Sequence, residues 1–109
     1  MKVIRNRLLP IGRNYGAINL FGVLFAKHDM RITSEVINHE TIHTRQMREL
    51  LYLPFYIIYV FEWLIRLVQK RGRTFEAYMA ISFEREAYDH GRDTGYLSHR
   101  KPYAQWRRR

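Results

Sequence analysis

Cysteine is absent from the 109 residues. Disulfides, thiolate nucleophiles and Cys-rich zinc sites are therefore excluded, which leaves histidine and carboxylate as the available metal ligands. The absence also fits a reducing compartment. No internal repeat or low-complexity segment is present. No long apolar run follows the basic start Met1-Lys2-Val3-Ile4-Arg5-Asn6-Arg7, so no cleavable secretion signal is expected and the cytoplasm, or the inner face of its membrane, is the expected location. At 13.3 kDa the chain has room for one core, and a single minimal domain over residues 1–109 is expected.

Acidic residues are scarce, 10 against 19 Lys and Arg, and where they are missing matters more than their number. Residues 1–31 hold 6 basic and 1 acidic side chains, residues 32–91 hold 7 and 8, and residues 92–109 hold 6 and 1, so the net charge of +9 divides as +5, −1 and +5. The middle is nearly neutral. The excess sits at the ends, with Arg107, Arg108 and Arg109 beside Tyr103 and Trp106, a composition suited to an anionic membrane surface or to RNA. A solvated tail is the plainer alternative.

Residues 1–33 read as a strand layer, punctuated by Pro10, Gly12 and Gly16, with Ala17 to Phe25 suited to an extended segment in a hairpin or small sheet. Thr33 or Ser34 can cap a following helix, and Glu35 suits its positive end. Along that helix Val36, His39, His43, Met47 and Leu50 recur at steps of three and four, so the histidines belong to the apolar stripe. Leu51 to Val68 is almost unbroken apolar sequence, interrupted by Pro54, Glu62 and Arg66. Core packing is expected for it, with Glu62 and Arg66 able to neutralise each other one turn apart. A helix inserted in or lying on a membrane is the alternative. After Gly72, with Thr74 as a further cap, Phe75 to His90 reads as a third helix whose stripe Ala77, Ala80, Ile81, Glu84 and Ala87 sets a carboxylate among small residues. Residues 91–109 read as an irregular basic tail. The fold expected is α+β, mostly α, with the strand layer packed on a three-helix core over residues 34–90.

The chemistry lies in His39-Glu40-Thr41-Ile42-His43. On a helix, H-E-x-x-H sets two imidazoles on one face, able to grip one ion, with the carboxylate between them turned aside to hold a water. A match of this kind arises by chance in about one chain in a hundred of such composition, so context must decide. A catalytic zinc site takes three protein ligands and keeps an open position. Glu84 is preferred as the third ligand over Glu86, which points to a different helix face. Glu40 is then the general base, one zinc ion is expected per chain, and Tyr78, Tyr88, His90 and His99 are candidates by type for oxyanion or supporting roles. A peptide substrate could add as a strand beside Ala17 to Phe25. The plainer reading makes His39 and His43 core histidines and pairs Glu84 with Arg45, Arg48 or Arg85.

Extended by Gln46 to H-E-x-x-H-x-x-Q, and joined to Glu84 and Ala87 in an E-x-x-A setting, the pattern resembles the gluzincin metallopeptidases over about residues 15–90. It is similar above all to small single-domain members and to the catalytic core of membrane-associated, prenyl-protein-type endopeptidases. The resemblance implies His39, His43 and Glu84 as zinc ligands, Glu40 as base, and peptide or protein as substrate. It departs from the usual pattern in having Tyr88, followed by Asp89, where an Asp orients a zinc-bound histidine. A membrane-associated metal-binding scaffold without turnover and a basic RNA-binding module are the alternatives, nucleic acid being the less expected partner.

Overall fold

The computed structural model describes residues 1–7 and 16–107, so Pro10, Gly12, Arg108 and Arg109 lie outside the described residues. Three strands, β1 (Lys2–Asn6), β2 (Ala17–Leu20) and β3 (Val23–Lys27), form a sheet of order β1-β3-β2. The Ala17 to Phe25 segment is thus a hairpin rather than one strand. It turns on Phe21 and Gly22, whose φ values of 52° and 89° give the positive pair that matches strand twist in a two-residue loop. Central β3 pairs in parallel with β1 and antiparallel with β2, and its alternation buries Leu24 and Ala26 completely.

Five helices follow among the described residues: α1 (Ser34–Glu49), α2 (Leu53–Gln69), α3 (Thr74–Ala80), α4 (Ser82–His90) and α5 (Tyr96–His99), then a single 3-10 turn at Ala104–Trp106. The α+β, mostly α reading holds. Thr33 caps α1 by accepting from the Val36 amide at 3.2 Å. Leu51 and Tyr52, both at positive φ, then reverse the chain, and Pro54 sits in the first turn of α2, where its missing N–H costs nothing. Met47, Phe55, Ile81 and Phe83 form one buried cluster, and Ile42, Ala87 and Tyr96 a second.

Several expectations need correction. The third helix is two: α3 and α4 break at Ile81, whose ψ of 132° is extended. The cause is tertiary, because Glu62 of α2 accepts from the Ser82 amide at 2.8 Å and from its hydroxyl at 2.5 Å, capping α4 from outside. Glu62 therefore serves Ser82 and not Arg66, whose Nη1 donates to Gln69. Nor does Thr74 cap α3, since Arg73 holds that position without a side-chain bond. Second, the Leu51 to Val68 segment is core on one face only. Phe55 is its buried residue, Tyr56, Tyr59 and Trp63 pack beside it, and the opposite face is open to solvent. Third, residues 91–107 are folded back on the helices: the Arg100 side chain is fully enclosed between Glu86 and Glu49, and Trp106 Nε1 donates to Ser82 Oγ.

Candidate metal centre

One turn of α1 separates His39 from His43, so both rings project toward the groove that α4 fills. The spacing sets both rings on one face of the helix. His43 Nε2 lies 3.1 Å from His39 Nε2 and 2.9 Å from Glu84 Oε1, while His39 Nε2 lies 3.3 Å from the same oxygen. A tetrahedral zinc bound at about 2.0–2.1 Å holds its ligand atoms roughly 3.3 Å apart. The triangle has the size of one face of that tetrahedron. Glu84 makes its ion pairs with these two histidines, whereas Arg100 is drawn to Glu86.

A metal needs a bare ring nitrogen, and the contacts around His43 supply one. Gln46 Nε2 donates to the Phe83 carbonyl at 3.0 Å and to Glu86 Oε1 at 2.9 Å, which turns the amide oxygen toward His43. His43 Nδ1 must then donate to Gln46 Oε1, at 2.8 Å, leaving Nε2 as the nitrogen that faces Glu84 and that a metal would take once its proton is lost. Behind Gln46, Glu86 also accepts from Tyr96 and Arg100. The group that orients the His43 ring is thus Gln46, at the third position past the second histidine. On the other side of the ligand set, Tyr59 of α2 donates to Glu84 Oε2 at 2.6 Å. Nothing in the apolar run singled out Tyr59, although its step of four from Phe55 and Trp63 puts it on the inward face.

Glu40 stands half-buried beside these groups. Its pKa is raised by burial, against the lowering pull of His43 and His39 and with help from the Glu84 charge. Its backbone carbonyl accepts from Asn19 of β2 at 3.0 Å, which moors the sheet to α1. Tyr88 packs edge-on against His39 at 4.4 Å between ring centres, and its hydroxyl meets that of Tyr78 at 2.9 Å. Burial, and after it the Glu84 charge, raises the Tyr78 pKa, so its hydroxyl stays protonated. His90 instead stacks on Tyr96 at 3.9 Å and His99 packs edge-on against the same ring at 5.8 Å, so the structure brings Tyr78 and Tyr88 toward the histidine pair and sets His90 and His99 around Tyr96.

In chelator-treated protein the His43 ring and the Glu84 carboxylate, 2.9 Å apart, would share a proton. Burial alone would lower the His43 pKa, but the adjacent Glu84 carboxylate, the bond to it, and the Glu40 charge outweigh this and raise it to about 9. Burial likewise opposes ionisation of Glu84, yet His43 and the bonds from His39, His43 and Tyr59 hold its pKa well below the usual carboxylate range. A raised folded-state pKa contributes stability that is complete below the unfolded value of 6.5 and is lost as pH climbs to about 9. Chelator-treated protein is therefore expected to lose on the order of 3 kcal/mol of stability across that window. A divalent cation held there would take the place of the proton on Nε2, so any stabilisation it added would grow over the same window. Thermal melts with chelator and with zinc, from pH 6 upward, check both slopes, and a flat chelator curve would contradict the shared proton.

The fold and the donor triangle stand without a relative to lean on: compared with protein-family models, with curated proteins and with solved structures, the chain matches none of them.

Proposed function

We propose that the chain is a minimal zinc-dependent metallopeptidase-like protein, cutting peptide bonds with a metal-activated water. The observation that carries the reading is the donor triangle: three neutral-nitrogen or carboxylate ligands drawn from two helices, with atoms 2.9–3.3 Å apart and a fourth, non-ligand carboxylate, Glu40, within electrostatic reach. Two imidazoles and one carboxylate are a donor set for zinc that leaves one position for water.

Bound there, zinc would acidify that water and polarise a carbonyl. Each remaining task falls to a named side chain. Glu40, with its pKa raised by burial, accepts the proton and returns it to the departing amine. Gln46 keeps His43 in the tautomer whose Nε2 is free, and Tyr59 fixes the second oxygen of Glu84. Tyr88 and Tyr78, protonated and at the histidine side, are the donors available to a developing oxyanion. Among the described residues β2 pairs with β3 alone, so its outer edge, next to the Asn19 bond to Glu40, offers backbone groups to an extended peptide. The cysteine-free composition and basic termini suit the cytoplasmic side.

The test is metal content. Purified protein is expected to carry about one zinc per chain, and His39→Ala and Glu84→Ala to lose it, because two remaining ligands cannot hold the ion against a chelator. Full zinc occupancy in Glu84→Ala would end the proposal. Zinc binding with no cleavage of any peptide would reduce it to the metal-binding scaffold.

A further inference from the structure

On α2, Leu53, Ile57, Val60, Phe61, Leu64, Ile65 and Val68 recur at steps of three and four and lie on the face turned away from Phe55 and Tyr59. All are largely exposed, Phe61 at 66 % and Val68 at 80 %, and Leu51 continues the stripe at 78 %. An unbroken apolar face of this length on a helix of 17 residues is far beyond the scattered exposed leucines of an ordinary surface. The one carboxylate of α2, Glu62, borders this face but is engaged as the cap of α4, bound to the Ser82 amide and hydroxyl.

Basic groups gather at its end. Arg66 and Lys70 lead into Arg71, exposed at positive φ, and into Arg73, whose partner Glu76 is the one acidic residue between Glu62 and Glu84. An aromatic residue far away in sequence reaches the same face: Trp106 lines a groove of about 500 Å³ together with Ile57, Phe61, Ile65, Arg66 and the α4-capping Glu62. In the wall of that groove the Nε of Arg66 is buried without a hydrogen-bond partner.

We propose that this face docks on an anionic phospholipid surface, with α2 lying in the plane of the interface. Charge complementarity selects that occupant. A second copy of the chain would bring its own +9 and no acidic patch on this face to answer Lys70 and Arg71, whereas acidic lipid headgroups supply both the phosphate that Arg66 can bind and the counter-charge, and the acyl boundary takes Phe61 and Ile65. The helix lies and does not cross. Among the described residues no single helix is long and apolar enough to cross a membrane, and 17 residues of helix reach about 25 Å against a hydrocarbon core of about 30 Å. Because Tyr59, on the opposite face of the same helix, holds Glu84, docking would put the metal centre about one helix diameter, roughly 10 Å, above the lipid, and it stands whether or not that centre turns over.

The experiment is co-sedimentation of the full chain with vesicles of phosphatidylcholine alone or mixed in equal parts with phosphatidylserine. Binding to the mixed vesicles is expected, with little to the neutral ones, and weakening as salt is raised. Phe61→Glu/Ile65→Glu, at solvent-facing positions and so expected to keep its circular dichroism spectrum and melting temperature, should bind the mixed vesicles at least about tenfold more weakly. Lys70→Glu/Arg71→Glu, which leaves the apolar stripe intact, should also lose about tenfold or more. Failure to sediment with the anionic vesicles, or undiminished binding by either variant, overturns the proposal. So does a dimer in sedimentation velocity that Phe61→Glu/Ile65→Glu converts to monomer, since the face would then belong to a second copy.

Discussion

Glu40→Gln is expected to keep its zinc and to lose peptide hydrolysis by about 10²–10⁴-fold, the range that removing a general base costs. Glutamine has nearly the same shape, so the helix and the His39–His43–Glu84 triangle have no reason to move. What changes is proton affinity. A carboxylate whose pKa burial has pushed up, against the pull of two nearby histidines, is a better base at neutral pH than an exposed one, and an amide is no base at all. In barrier terms the loss is about 3–5 kcal/mol, comparable to the entire contribution of one well-placed catalytic group. Neutralising one negative charge would also leave a bound cation less well balanced, which should weaken zinc only modestly because Glu40 is not among the three clustered donor groups. The measurement pairs zinc content with cleavage of a fluorogenic peptide mixture. Equal activity in the variant would remove Glu40 as the base, and loss of the metal would make it a ligand.

How this site could be read from the chain, and where the reading stopped, follows from which interactions are local. The α1 cap at Thr33 and the inward histidine stripe are set by neighbours within four residues, and both stand as expected. Glu84 was reachable because Ala87, one turn on in the same helix and completely buried, signals a face that can be approached closely, whereas Ala77, read onto the same stripe, lies on α3 beyond the break. The break at Ile81 was not reachable. No Gly or Pro marks it, and the group that stabilises it is Glu62, 20 residues earlier and on another helix. Leu51 to Val68 shows a similar limit. Its period says that one face will be covered, but which apolar residues stay exposed depends on what the rest of the chain can supply, and α1 and α4 supply enough to cover only Phe55, Tyr59 and their neighbours. Arg100 misleads in the opposite direction. Within a basic tail it looks like one more solvated charge, and only the approach of Glu49 and Glu86, 51 and 14 residues away, makes it an interior residue.

Arg100→Ala should be the most destabilising single change outside the metal ligands, at about 3–5 kcal/mol, because it strands a buried charge instead of deleting a pair. The guanidinium side chain is fully enclosed, with Nε on Glu86 Oε2 at 2.5 Å and Nη1 on Glu49 Oε2 at 2.8 Å. Burial would by itself lower its pKa, but the bonds it donates to Glu86 and Glu49 more than reverse this, so it is charged at every working pH. Take it away and Glu86, itself only 4 % exposed, keeps Gln46 and Tyr96 as donors but has no cation. For a domain near this size each kcal/mol is worth about 4–8 °C in melting temperature, so a fall of well over 10 °C is expected. Arg100→Lys should recover only part of it, since one ammonium cannot span the fork that reaches Glu86, Glu49 and Gln105 together. The same variant links stability to the metal. Glu86 orients Gln46, Gln46 orients His43, and loosening that chain is expected to weaken zinc by about 10- to 100-fold in protein that is still folded at low temperature. A melting temperature within a few degrees of the parent would show that the arginine is solvated after all. A large drop with unchanged zinc affinity would cut the connection from Glu86 to His43 while leaving the buried ion pair intact.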